Sequence, residues 1–271
     1  MSASLGGLLK DYRLQKNVSQ MEIAFALGWK DGARISRIEQ GHIEKPDRDL
    51  IEKICLILEL KPQESNSLLL VGGFLPTQKE ITYIRKKTHS LINSWNYPVG
   101  VRDFSWRIIH ANSMMIKFHN MNEKQQRFIV DECPSVIEIT FNAEYELNNK
   151  LLIKTNKELS ERKRFLTTML KDFKYHQRHR TRERWYVDFV RRMMNNPLFR
   201  ETWMKTEDIV DPDLDLITNF AIKRVPSPIN RNDILSTFII ITPYREDPRF
   251  EIEFHIPADT KTFNYFESIK N

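Results

Sequence analysis

The chain has 271 residues, 41% hydrophobic and 29% charged, a balance that suits about two folded domains and excludes a chain dominated by disorder. Its longest apolar runs, Ile54–Leu58 and Phe238–Ile241, are too short to span a bilayer, and the opening MSASLGGLLKDYR lacks a basic segment followed by a long apolar core, so neither a membrane anchor nor a secretory leader is expected. The net charge of +6 is uneven: residues 1–75 hold ten Lys/Arg against ten Asp/Glu, whereas 161–184 hold nine (Arg162, Lys163, Arg164, Lys171, Lys174, Arg178, Arg180, Arg182, Arg184) against Glu161, Asp172 and Glu183.

Leu5, Leu8, Leu9 and Tyr12 recur at i, i+3, i+4, i+7, the stripe of an amphipathic helix that Asn17 ends. Ser19 and Glu22 fit a capping box opening a second helix that buries Ile23, Ala24 and Leu27. Gly28 supplies the turn. A third helix runs from Ala33 to Gln40 with Ile35 and Ile38 inward and Gly41 just past its end. Asp47 is placed to cap a fourth, with Leu50, Ile54, Ile57 and Leu58 inward, stopping before Pro62. A short fifth carries Leu68, Leu69 and Leu70 and ends at Gly72-Gly73.

Five short helices, the second and third joined by a glycine turn, form the architecture of a repressor-type helix-turn-helix domain. The residues Leu9-Lys10, Arg13, Ser19-Gln20, Leu27-Gly28, Ile35-Ser36-Arg37-Ile38-Glu39 and Gly41 resemble the Xre/Cro-repressor family over about 70 residues. The chain departs from the pattern at Trp29-Lys30-Asp31-Gly32, one residue longer than the usual turn. The resemblance implies a regulator that binds double-stranded DNA with its third helix in the major groove. Lys30, Gly32, Ala33, Arg34, Ser36 and Arg37 would then face base edges. Arg37 is the foremost base reader, since a guanidinium can bridge guanine O6 and N7. Gln20 would meet backbone and base edges, and His42 and Lys45 phosphate. The competing reading pairs Arg34 and Arg37 with Glu39 or Asp31 as ordinary solvated helix residues.

Gly72–Thr77 reads as a domain boundary. The expected division is a helix-turn-helix domain over 1–75, a linker helix over 76–97 and a second domain over 98–271. Ile81, Ile84, Thr88, Leu91, Ile92 and Trp95 form the stripe of the linker helix, which the sequence assigns to neither neighbour. Val99 and Val101 begin a strand, Phe104–His110 reads as a second across an Asp103 turn, and Asn112–His119 reads as a helix. Residues 123–146 give no clear period. Helical periodicity dominates from Leu147 to Tyr175, returns at Tyr186, Phe189, Val190 and Met193, and restarts at Asn196-Pro197. Leu216–Arg224, Ile234–Thr242 and Phe250–Ile256 are strand candidates. In the last, Phe250, Ile252, Phe254 and Ile256 alternate with polar residues, which predicts one buried sheet face.

Two strands, a helical middle and three strands is the order of a PAS domain, so the expected fold class is α+β: an all-α five-helix domain, then a PAS-like antiparallel five-stranded sheet with helices. Pro98, Val101, Asp103 and Trp106–Asn112, then Pro197, Phe199, Trp203 and Asp208, then Ile256–Thr260 resemble the ligand-binding domain of MmyB-like regulators. The resemblance implies a small-molecule sensor, with a bound fatty-acid-like or other apolar molecule as the candidate ligand. The candidate lining is Phe104, Trp106, His110, Met114, Phe118, Tyr186, Phe189, Trp203, Phe238 and Phe254, for each of which core packing is the plainer reading. Arg102 and His110 are candidates for a headgroup, with a structural role the plainer reading.

The basic stretch 161–184 suits either a solvated face or contact with DNA phosphate. His176 and His179 lie three apart, with no carboxylate or cysteine to complete a metal site. Cys55 and Cys133 sit in no CxxC or Cys/His cluster, so reduced thiols and a cytoplasmic location are expected. The chain carries no Walker A, dinucleotide, HExxH or nucleophile-elbow motif, and an enzyme is not expected. Reading two half-sites calls for a homodimer. The alternative is an adaptor that works through protein contacts, with a non-sensing dimerisation domain.

Overall fold

A computed structural model describes residues 4–43, 45–142, 156–206, 220–226 and 234–270. The chain divides into two compact units, Met1–Pro76 with Pro243–Phe250, and Thr77–Thr242 with Glu251–Asn271.

The helices of the first unit are α1 (Leu5–Gln15), α2 (Gln20–Ala26), α3 (Ala33–Glu39), α4 (Arg48–Ile57) and α5 (Pro62–Val71). Their ends follow from local chemistry. The Ser4 hydroxyl accepts from the Gly7 amide at 3.1 Å, and Asn17 turns the chain after α1 at φ 55°. The capping box of α2 is formed: the Ser19 hydroxyl accepts from the Glu22 amide at 3.1 Å and the Glu22 carboxylate from the Ser19 amide at 2.6 Å. Gly28 and Gly41 both sit at φ 78°, the left-handed backbone that favours glycine. Leu5, Leu8, Leu9, Ile23, Ile35, Ile38, Ile54, Leu58, Leu68 and Leu69 form the core. Ile51 and Cys55 join it, whereas Leu50 and Ile57, expected to face inward, are half-buried at its margin. Asp47 stands at the N-cap of α4 but its side chain makes no capping bond. Pro62 is the first residue of α5, where its missing N–H costs nothing.

The second unit begins with α6 (Gln78–Asn93), whose capping box is Thr77 with Glu80. Ile81, Ile84, Thr88 and Ile92 are buried, while Leu91 and Trp95, expected on the same stripe, are 49% and 40% exposed. The helix packs on β1 (Val99–Asp103) and β2 (Ile108–Ala111), where Arg85 donates through Nε to the Ile109 carbonyl at 2.8 Å and through Nη2 to the Val130 carbonyl at 2.7 Å. The linker helix therefore belongs with the second unit.

The strand expected over Phe104–His110 starts only at Ile108. Residues 104–107 are a turn because the Asp103 carboxylate gathers it. Oδ1 accepts from the Ser105 amide at 3.0 Å, the Ser105 hydroxyl at 2.7 Å and the Arg107 amide at 3.0 Å, and Oδ2 accepts from Arg107 Nε at 2.7 Å. Trp106 takes φ 67° there.

Then come α7 (Ser113–Phe118), α8 (Glu123–Glu132), α9 (Val136–Phe141), α10 (Asn156–His176), α11 (Arg184–Met193), α12 (Pro197–Lys205), β3 (Phe220–Pro226), β4 (Ile234–Pro243), β5 (Phe250–Pro257) and α13 (Thr260–Ser268). Helices α8 and α9 occupy the stretch whose period is unclear. The expected helix over 147–155 and strand over 216–219 lie outside the described residues. Helix α13 is additional, and Asp259 caps it by accepting from the Thr262 amide at 2.7 Å.

The strands lie in the order β2-β1-β5-β4-β3, so the first hairpin meets the last strand in the middle of the sheet. The β1–β2 and β3–β4 pairings are antiparallel, with a register shift between Val101 and Arg102. The alternation expected in β5 breaks at its end: Phe250 and Ile252 are buried, Phe254 is half-buried, and His255 is fully buried on the opposite face. That face is covered as well. Phe118 of α7 lies 5.7 Å from the His255 ring, and Arg102 Nε and Nη1 neutralise Glu251 and Glu253 at 2.9 and 3.4 Å.

Candidate nucleic-acid interface

Glu39 holds the geometry of the first three helices. Its side chain is almost wholly buried, and it accepts from Arg13 Nε at 2.6 Å, Arg13 Nη2 at 2.9 Å and Gln20 Nε2 at 2.8 Å. Arg13 Nη1 also donates to the Val18 carbonyl at 3.0 Å. Glu39 raises the Arg13 pKa against the opposing effect of burial, so this cation is fixed in place. Tight backbone approach completes the frame. A Cβ on Gly6 would lie 2.1 Å from the Ile38 carbonyl oxygen, and one on Gly32 would lie 3.2 Å from Gln20 Cβ. Gly32 thus works by letting α3 start against α2. The motif placed Arg13 and Glu39 in the sequence, but their pairing across 26 residues carries no local signal.

Helix α3 starts at Ala33, whose amide donates to Asp31 Oδ1 at 2.9 Å. Ile35 and Ile38 face the core, and Ala33, Arg34 and Arg37 are exposed. The Arg34 guanidinium lies 4.7 Å over the Trp29 ring, so the long turn supplies a stacking platform. The Ser36 hydroxyl accepts from Gln40 Nε2 at 2.8 Å. Among the described residues no acid pairs with Arg37. The carboxylates that could compete for it are engaged: Glu39 by Arg13 and Gln20, Asp31 by the Ala33 amide. Gln20, half-buried, spends one amide proton on Glu39. Lys30 and His42 are exposed at either end of the helix, and the Lys45 ammonium lies 5.7 Å over the Phe74 ring.

The candidate ligand residues of the second unit fall into separate places. Trp106, Tyr186 and Phe189 belong to one buried cluster, with Trp203 packed against it. Met114 and Phe118 belong to another, with Ile139, Leu235 and Phe266. Phe104 meets Trp185 edge-on at 5.7 Å, and Phe254 meets Trp95 at 5.3 Å. Phe238 pairs with Ile222 in the β3–β4 register. His110 stacks on His89 at 5.6 Å, and burial followed by the His89 and Arg85 charges lowers its pKa. Arg102 is committed to Glu251 and Glu253. No helix among the described residues is long and apolar enough to cross a membrane, and none of their His, Cys, Asp and Glu side chains gather in threes that could hold a metal.

No curated protein matches the chain. A family model described as a helix-turn-helix domain matches residues 4–68, the span of α1 to the middle of α5. The first unit thus carries a helix-turn-helix domain, and α3 is its third helix.

Proposed function

We propose that this chain is a sequence-specific DNA-binding transcription regulator of the Xre type, acting by binding and not by catalysis. The observation that carries the reading is Arg37, exposed on α3 while a buried network occupies the neighbouring carboxylates. A guanidinium held outward on a rigid helix is ready for bidentate contact with a guanine in the major groove. The test is selection of binding sites from random duplexes followed by gel shift. A recovered consensus, lost with Arg37→Ala, supports the reading. No sequence-selective shift favours the adaptor alternative.

The second unit is proposed as a PAS-like, MmyB-type sensor with a five-stranded antiparallel sheet, binding a small apolar or lipid-like molecule and supplying the interface of a homodimer. Support comes from the chain order of two strands, helices and three strands, which close into one sheet. A ligand controls DNA affinity only by binding two arrangements unequally. Mass spectrometry of molecules extracted from purified protein, followed by operator titration with and without the one found, tests sensing. Light scattering tests the dimer.

A further inference from the structure

The positive charge of this chain lies outside its helix-turn-helix domain. Residues 178–192 carry Arg178, Arg180, Arg182, Arg184, Arg191 and Arg192 against Glu183 and Asp188, whereas residues 1–75 balance ten basic with ten acidic side chains. Phosphate neutralisation by Lys and Arg supplies most of the affinity of a protein for duplex DNA irrespective of sequence.

Helix α11 sorts its side chains sharply. Tyr186, Phe189 and Met193 are buried, which leaves Arg184, Asp188 and Arg191 on the outer face at i, i+4 and i+7. One carboxylate serves two cations there: Arg184 Nε and Arg191 Nη1 lie 3.6 and 3.2 Å from Asp188, and their side chains are 93% and 74% exposed. Arg182, in the turn before the helix, is exposed, and among the described residues no acid pairs with it. Arg178 is braced against the Tyr175 ring at 4.0 Å. The cations of this segment are all arginines, whose planar fork matches phosphate oxygens. The buried aromatics of α11 offer neither a stacking platform for single-stranded nucleic acid nor a wedge for lipid.

We propose that the exposed arginines of residues 178–192 form a second duplex-binding surface, which grips the phosphate backbone. The proposal rests on the DNA-binding reading of α3.

The test uses the full chain carrying Arg182→Gln, Arg184→Gln and Arg191→Gln together, on a duplex with a selected site and on a scrambled duplex. With a salt slope of about −0.9 per phosphate contact, three lost contacts remove about 40-fold of the affinity change between about 50 and 200 mM salt. The variant is expected to show that flatter dependence on both duplexes, with its preference for the selected site intact. Asp188→Asn, which releases two arginines, is expected to tighten both. An unchanged slope in a triple variant that melts like the wild type overturns the proposal. So does a loss seen with phosphatidylserine vesicles or single-stranded RNA but not with duplex DNA. If the wild type shows no preference for any selected site, the α3 reading falls, and the slope on the scrambled duplex still decides the arginine surface.

Discussion

Arg13 and Glu39 meet through two parallel hydrogen bonds, at 2.6 and 2.9 Å, which tie α1 to the end of α3. Breaking a buried pair leaves an uncompensated charge, so Glu39→Gln is expected to cost about 3–5 kcal/mol. A double-mutant cycle with Arg13→Met in urea measures the coupling. Additive losses would refute it, because partners in contact share one interaction energy.

Arg37→Ala is expected to weaken specific DNA binding by about 1–3 kcal/mol and relax preference at one base position. Its melting temperature should match the wild type, since the side chain is exposed. Arg34→Ala should cost less selectivity, its guanidinium being stacked on Trp29. Equal selectivity losses for the two would refute this division of labour.

Gly6 has no room for a methyl group, because the Ile38 carbonyl would stand 2.1 Å away. Gly6→Ala is expected to push α1 off α3 and destabilise the first unit by about 1–3 kcal/mol. Calorimetry of the full chain reads it, and a melting temperature unchanged from wild type would contradict the contact.

Asn112 joins three elements. Its Oδ1 accepts from the Val99 and Met115 amides at 3.1 and 2.9 Å, and its Nδ2 donates to the Ile92, Trp95 and Tyr97 carbonyls at 3.1, 3.3 and 2.9 Å. In Asn112→Asp, a carboxylate oxygen would face those three carbonyls in a buried site, raising its folded-state pKa. Such a group is best tolerated below the ordinary carboxyl pKa of about 3.9, and stability falls as pH rises through the folded value. Urea midpoints at pH 4 and pH 7 check the sign. A variant whose loss relative to wild type is the same at both would disprove it.

Burial holds the Cys55 thiol at about 11 and raises Cys133 despite the opposing Arg85 charge. Neither thiol should react quickly with a disulfide reagent at pH 8 until the protein unfolds. Fast reaction of native protein would show that one of them is accessible.

The first domain was readable because its signals are local. Leucine periodicity, the Ser19–Glu22 box and the two glycines at positive φ each act within a few residues. The α3 face followed from that frame. The network behind it did not, since Arg13, Gln20 and Glu39 are joined only by folding. In the second unit, Phe104–His110 reads as strand, and one carboxylate turns its first four residues. Burial on both faces of β5 hid His255 from any two-residue alternation. Asn112, which closes the MmyB-like stretch just after β2, was visible, but its five hydrogen bonds were not.

The Asp103 turn bears on folding kinetics. All four of its hydrogen bonds close within four residues, whereas the Arg102 partner Glu251 lies 149 residues away. Short loops close at low entropic cost, so the β1–β2 register can be set without help from the rest of the sheet. Asp103→Asn should accordingly slow folding more than it speeds unfolding, and a φ-value near zero would refute the order. The edge hairpin then serves as a nucleus onto which the distant C-terminal strand condenses.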